Sequence, residues 1–338
     1  MIIKEAIATA AAGKEVPSAV MEHAMEALFT GEATPAQIAA LLVALRIKGE
    51  TASEISAAAR AMRRHSIPVK ASPTVLLDTC GTGGDASLTF NISTAAAVVV
   101  AGAGVAVAKH GNRAATSKTG SADVLEHLGI KVDLPPEAVE RCINQCGIGF
   151  MFARLHHPAM RHVAGARSEI GVRTLFNFLG PLCNPASVSH QLVGVSDLRL
   201  CDTLARVLGE LGTTRSWVVC GEGNLDEIAL SGPTHVAQID RNRFEVREVT
   251  PEDFGVQRQP IDGLRVNDAA QSAAMIQAVL AGERGPARDV VVINAAAGLY
   301  VAEAAASLRE ASTMAVASID SGAAQRKLAA WAAQSKAS

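Results

Sequence analysis

Residues 78–123 read DTCGTGGDASLTFNISTAAAVVVAGAGVAVAKHGNRAATSKTGSAD, and the rest of the chain is organised around them. Val75, Leu76 and Leu77 lead in as a short apolar run, which breaks at Gly81, Gly83 and Gly84 around Asp85. Asn91, Ser93 and Thr94 follow, residue types that begin helices because their side chains accept from free backbone N–H groups. A second apolar run ends in Lys109, His110, Gly111, Asn112 and Arg113. From residue 86 to residue 122 there is no Asp or Glu, whereas Lys109, Arg113 and Lys118 are cationic. Glycine amides, a helix N-terminus and Lys/Arg all favour negative charge, so the stretch reads as a place for a phosphate-sized polyanion.

Downstream the same alternation of short apolar runs and helical stretches continues, the pattern of a largely parallel sheet. Strands are expected at 75–79, 105–109, 192–195, 217–220 and 290–293. Helices are expected at 93–103, 121–128, 136–145, 198–211, 268–281 and through the Ala-rich end from 299. Residues 147–185 look irregular and carry His156, His157, His162, Arg167 and Arg173. Upstream, the first 70 residues are helical throughout, with apolar spacing such as Ile38, Leu41, Leu42, Leu45. Thr34–Pro35 and the Thr51/Glu54 pair mark helix starts, and Gly49 closes the helix between them. Pro68 and Pro73 make a hinge. The expected fold is α/β: a small all-helical N-terminal domain, 1–70, joined by helices from about 150–185, and a large α/β domain, 74–338, with a mostly parallel central sheet flanked by helices.

A chain of 338 residues with 49% hydrophobic residues can bury a sizeable core. Its net charge of -2 argues against a nucleic-acid binder, which carries a basic field over a whole face. Six scattered cysteines without C-x-x-C spacing read as reduced, buried thiols. No basic n-region precedes an apolar stretch at the N-terminus, and the longest apolar run, 95–108, falls short of the ~20 residues that span a bilayer. The expectation is a cytoplasmic protein with no membrane partner.

GTGGDA fits the loose dinucleotide pattern after a strand, but the acidic residue that binds ribose roughly 20 positions later is missing. No Gly-Lys-Ser/Thr of a Walker loop follows either. The ends of neighbouring parallel strands face one crevice, so Cys80 and His110, read as following strands, bring GTGGD and KHGNR together. Lys109 and Arg113 therefore read as ligand-binding rather than as solvated cations. Asp226 and Glu227, after the strand at 217–220, are the metal candidates, because Mg²⁺ bridges one or two carboxylates to substrate phosphates. HHPAMRH lacks the cysteine or carboxylate spacing of a zinc site and reads as capping, core or substrate-lining. Arg167 and Arg173 suit a planar carboxylate, with an ion pair to Glu169 as the plainer reading of either.

Taken in order, GTGGD, TFNISTA, KHGNR with TSKTGSADVLE, HHPAMRHVAGAR, RTLFNFLGPLCNPA and LDEI resemble the anthranilate phosphoribosyltransferases of tryptophan biosynthesis, through about residue 300. The resemblance implies transfer of a phosphoribosyl group from phosphoribosyl pyrophosphate (PRPP) to the amine of anthranilate, and a homodimer contacting through the helical part. It implies PRPP contacts at Gly81, Gly84, Asp85, Thr89, Asn91, Ser93, Thr94, Lys109, Ser117 and Ser121. Mg²⁺, two per subunit, falls to Ser93, Asp226 and Glu227. Anthranilate falls to Gly81, His110, Asn112, His157 and Arg167. No residue is implied as a general base, and Lys109 and His110 are the catalytic candidates. Ala86 stands where the family commonly has glycine, and Thr116 where it often has serine. A pyrimidine nucleoside phosphorylase-like enzyme and a catalytically silent nucleic-acid-binding homologue are the alternatives, weighed down by KHGNR, the LDEI acids and the near-neutral charge.

Overall fold

The chain begins with four helices, α1 (Ile2–Ala11), α2 (Ser18–Phe29), α3 (Pro35–Lys48) and α4 (Ala52–Arg64). Two capping boxes set the last two: Thr34 with Gln37 and Thr51 with Glu54 exchange side-chain and backbone hydrogen bonds. Glu54 also accepts from the Val16 N–H and pairs with Lys48 at 2.8 Å while fully buried, which ties the α1–α2 turn to α3 and α4. The computed structural model describes residues 2–85, 87–114, 119–241 and 243–337.

The sheet follows. β1 (Leu76–Gly81), α5 (Ile92–Gly102) and β2 (Ala106–Gly111) form the first unit. Then come α6 (Ser121–His127), α7 (Pro136–Arg141) with a π-helical turn (Cys142–Cys146), and β3 (Ile148–Phe152). Three short helices, α8 (Ala153–His156), α9 (Arg161–Ile170) and α10 (Phe176–Leu179), lead to β4 (His190–Gly194), α11 (Leu198–Glu210) and β5 (Arg215–Gly221). A hairpin of β6 (Thr234–Asp240) and β7 (Arg243–Val249) precedes α12 (Ala269–Leu280), α13 (Pro286–Val301), α14 (Leu308–Asp320) and α15 (Ala323–Lys336). The strand order is β3-β2-β1-β4-β5-β6-β7. The first five strands pair in parallel, and β6 and β7 are antiparallel additions.

Strand alternation divides the core in two. Leu192, Trp217 and Val219 point to a face covered by α5 and α12 to α15. Val193, Val218 and Cys220 point to the other, where one apolar cluster runs from α11 through α9 and α10 into α1 to α4. The opening helices are therefore packed continuously onto the sheet's second face. Since β2 and β3 lie on one side of β1 and β4 and β5 on the other, the winding reverses between β1 and β4. Ligands of open α/β sheets lie outside the carboxyl ends of the strands at that reversal. Register puts Gly81 beside Gly194, and Gly194 beside Val219, so those ends form one rim.

Three expectations are corrected. Residues 290–293 lie inside α13, not in a strand: Val290, Val291, Val292 and Ile293 are all buried, so the run is apolar on every side of a helix and imitates a buried strand. The zone 147–185 holds a strand, β3, and three helices. Cys80 and His110 lie within β1 and β2 rather than after them. The β6–β7 hairpin has no counterpart in the sequence reading. β7 exposes Arg243, Glu245, Val246 and Glu248, whereas every residue of β3, at the opposite rim, is buried. All six cysteines are free and buried, as expected. Among the described residues no helix is long and apolar enough to cross a membrane.

Candidate active site

At the end of β1 the chain turns through Gly83 and Gly84 at positive φ. Asp226 reaches in from the loop after β5, and its Oδ2 accepts from the Gly83 N–H at 2.9 Å. That approach depends on Gly194, where an added Cβ would sit 1.6 Å from the Asp226 carbonyl oxygen. The neighbouring Glu227 Oε1 accepts from the Ser93 N–H at 3.0 Å, at the start of α5. Asn294 of α13 pins this loop by taking the Ile228 N–H at 2.9 Å and donating to the Ile228 carbonyl at 3.1 Å. Asp85 accepts from Ser87, and Thr89 forms an isolated bridge with Arg265. Asn91 exchanges hydrogen bonds with Ser272, and Thr94 is fully buried with its hydroxyl unpartnered.

Burial pushes the Asp226 and Glu227 carboxyls well above the ordinary range, with Asp85 adding to the effect on Asp226, and Asp226 and Asp85 to that on Glu227. Such crowded acids call for a cation. Among the described residues no three His, Cys, Asp or Glu side chains are arranged to hold a metal by themselves. That donor set fits Mg²⁺, which prefers hard oxygens and takes only one or two carboxylates when substrate phosphates complete its shell.

Lys109 is 2% exposed. Its ammonium donates to the Thr79 carbonyl and to Ser93 Oγ at 3.3 Å. Burial lowers its pKa, and the charges of Asp78 and Glu227 oppose that. Asp78, itself fully buried, accepts from the His110 N–H at 3.1 Å and from Asn184 Nδ2 at 2.8 Å. A carboxylate therefore sits beneath the Lys109–His110 strand end, anchoring its backbone and supplying a counter-charge.

On the other side of β2, His110 Nδ1 lies 3.1 Å from the Gly180 carbonyl, and its ring is 5.1 Å from that of His157. Arg167 of α9 lies over the Phe176 ring at 5.1 Å, and among the ion pairs of the described residues there is none between Arg167 and Glu169. Phe176 opens α10 and Gly180 follows its last residue, so this one segment brings Arg167, His110 and His157 towards one place. Asn112 Oδ1 accepts from the Arg113 N–H, and Ser121 Oγ donates to the Asn112 carbonyl. Burial holds both histidines neutral, His110 well below the usual range and His157 down to about 4, with His156 adding to the latter effect and the Cys183 backbone opposing it.

The unfolded chain takes up this proton below about pH 6.5, whereas the folded His157 resists until about 4, so stability falls as pH drops through that window. The His157 contribution reaches on the order of 3 kcal/mol below pH 4. Urea midpoints of the wild type and His157→Phe at pH 7.5 and 5 check this: the variant is expected to lose less on acidification.

The geometry agrees with what the chain is similar to. The helical bundle domain of the glycosyl transferase family matches residues 4–66 and its a/b domain residues 73–325. The anthranilate phosphoribosyltransferase of Moorella thermoacetica is 54% identical over 332 residues, 98% of each chain. The chain belongs to the anthranilate phosphoribosyltransferase family. The crystal structure of the family member from Thermus thermophilus superposes with TM-score 0.93 at 43% identity, covering 98% of this chain and 99% of that one. The Saccharomyces cerevisiae member in complex with PRPP and Mg superposes with TM-score 0.91 at 26% identity, covering 99% of this chain and 98% of its own.

Within this family member the structure brings Gly81, Gly84, Asp85, Ser93, Lys109, Asp226 and Glu227 to the β1–β4 rim. Ser117 lies outside the described residues, as do Ala86 and Thr116. Arg113 pairs with Asp123 at 2.8 Å and Glu126 at 2.6 Å. Arg173 grips backbone carbonyls of the glycine turn. Asp78, Asn184 and Asn294 went unnoticed in the sequence. Asp78 carried a signal, an acid inside an otherwise apolar strand, but the two asparagines act only through distant partners.

Proposed function

We infer that the protein transfers the 5-phosphoribosyl group of PRPP to the amine of anthranilate, giving N-(5-phosphoribosyl)anthranilate and pyrophosphate, in L-tryptophan biosynthesis. The observation that carries this reading is the meeting, at the reversal point of the sheet, of the glycine turn, the N-terminus of α5, buried Lys109 and the Asp226–Glu227 pair. A pyrophosphate ester fits there. Gly81, Gly84, Asp85, Thr89, Asn91, Ser93, Thr94, Lys109, Ser117 and Ser121 are the proposed PRPP contacts. Ser93, Asp226 and Glu227 are the proposed holders of two Mg²⁺ per subunit, and bound Mg²⁺ supplies charge that stabilises the departing pyrophosphate.

The anthranilate amine is neutral at pH 7 and attacks before any proton is removed; the proton it then sheds passes to solvent or to the departing pyrophosphate, and His110, kept uncharged by burial, adds no positive charge against the developing ribosyl cation. The barrier lies in separating the anionic leaving group from a cationic sugar. Lys109 and the turn amides stabilise that anion without reorganising. Gly81, His110, Asn112, His157 and Arg167 are proposed to place the acceptor, with Arg167 on its carboxylate. Arg167→Ala is expected to raise the anthranilate KM roughly 10- to 100-fold, the size of a charged hydrogen bond, with PRPP affinity little changed. An unaltered anthranilate KM in initial-rate kinetics removes Arg167 from that role.

Residues 1–70 with α9 and α10 are proposed as the helical domain, 74–338 as the catalytic one, and a cytoplasmic homodimer joined through helices as the working form. The deciding experiment follows anthranilate fluorescence on addition of PRPP and Mg²⁺. Loss that requires both is expected, and persistence of fluorescence, or phosphorolysis of thymidine or uridine instead, overturns the reading.

A further inference from the structure

α9 carries Arg167 and ends at Gly171, whose φ of 67° lets the chain reverse. Two residues later Arg173 leaves the helical side and crosses to the glycine turn after β1. Its Nη1 donates to the Gly83 carbonyl at 3.1 Å and its Nη2 faces the Thr82 carbonyl at 3.4 Å. The base of this arm is fixed, because Thr174 is buried and its N–H donates to Asn177 Oδ1 at 2.8 Å. The guanidinium occupies the space that a side chain at position 84 would need: a Cβ on Gly84 would lie 1.6 Å from Arg173 Nη1. The charged neighbour is Asp197, which is itself paired with Arg199.

Ser196 Oγ donates to the same Gly83 carbonyl at 3.0 Å. Asp226 holds the N–H of that residue. Gly83 is thus gripped through its carbonyl by two donors and through its amide by the proposed metal-holding loop. A peptide unit is planar, so holding the Gly83 carbonyl fixes the direction of the Gly84 N–H, and holding the Gly83 N–H fixes the peptide before it.

We propose that Arg173 is a positioning residue, which locks the glycine turn in its PRPP-binding shape from the segment that carries the acceptor-site Arg167. The base of the arm is held by Thr174 and Asn177 independently of that grip, so the tie acts on the glycine turn rather than on the acceptor site. The assignment rests on the phosphoribosyl-transfer reading, and its test is kept separate from that reading by measuring binding without turnover.

Calorimetric titration of PRPP with Mg²⁺, without anthranilate, into the full-length wild type, Arg173→Ala, Arg173→Lys, Ser196→Ala and the Arg173→Ala/Ser196→Ala variant reads the loop directly. Arg173→Ala is expected to weaken PRPP roughly tenfold and Ser196→Ala about threefold. The double variant is expected to fall short of their product, since both act on one carbonyl. Arg173→Lys keeps one donor and recovers part of the loss. The anthranilate KM and the urea midpoint are expected to stay within about twofold and about 0.5 kcal/mol of the wild type. Unchanged PRPP affinity in Arg173→Ala overturns the proposal. So does strict additivity with Ser196→Ala, which would make Arg173 a direct anion ligand, or a lowered urea midpoint with PRPP affinity intact. Wild-type protein that binds PRPP but leaves anthranilate fluorescent refutes the acceptor assignment and leaves the loop result standing.

Discussion

Glu227→Gln is expected to lower kcat by about a hundred- to a thousandfold, the cost of losing one preorganised electrostatic stabiliser of a leaving anion. The substitution keeps an oxygen that accepts the Ser93 N–H, so α5 stays in place. What it removes is charge. Because burial, and then Asp226 and Asp85, raise the cost of ionising Glu227, a neutral isostere relieves desolvation and repulsion, and the urea midpoint is expected to hold or rise. Activity down with stability up is the signature to look for, and a Mg²⁺ titration of initial rates should move to higher concentration. Wild-type turnover and wild-type Mg²⁺ dependence in the Glu227→Gln enzyme would remove Glu227 from the metal site.

The second large effect is on folding. Asp78→Ala leaves the buried Lys109 ammonium with Glu227 as its remaining acidic neighbour and orphans the His110 N–H. Among the ion pairs of the described residues none joins Lys109 to Asp78, so the loss combines a missing counter-charge nearby with the unsatisfied His110 N–H, which alone costs roughly 1–3 kcal/mol. Asp78→Asn keeps an oxygen for the His110 N–H but turns an NH2 towards the Asn184 Nδ2 donor, so its loss adds a donor–donor contact to the lost charge. Urea unfolding of both variants checks this. If Asp78→Ala costs under about 1 kcal/mol, the charge beneath β2 is not what keeps Lys109 inside the protein.

Much of this was legible before any coordinates, for reasons that can be named. The capping boxes at Thr34 and Thr51 are local, so four residues suffice to read them. The β1–α5–β2 unit was legible because its turn glycines, helix-starting polar residues and apolar runs are contiguous. What failed was periodicity in fully buried segments: the valines of α13 face apolar neighbours on all sides, and β-branched residues there carry no directional signal. β7 hid for the opposite reason, since its outward residues are charged and look like loop. In the site, Asp226 and Glu227 were found because they are adjacent. Arg113 reads from sequence as an unpaired cation because Asp123 and Glu126, ten and thirteen residues on, meet it only in the fold. Arg173 was noticed for its chemistry, and only the fold shows that it grips peptide carbonyls.

The two rims of the sheet are finished differently, and this bears on how copies of the chain behave together. At β3 all five residues are buried, so that rim offers little free surface. At β7 the exposed side chains are Arg243, Glu245, Val246 and Glu248, three of them charged, and an incoming strand would have to strip those charges of water. Neither rim invites strand addition. Edge-to-edge pairing of partly unfolded molecules at β7 is therefore opposed by charge rather than by shape.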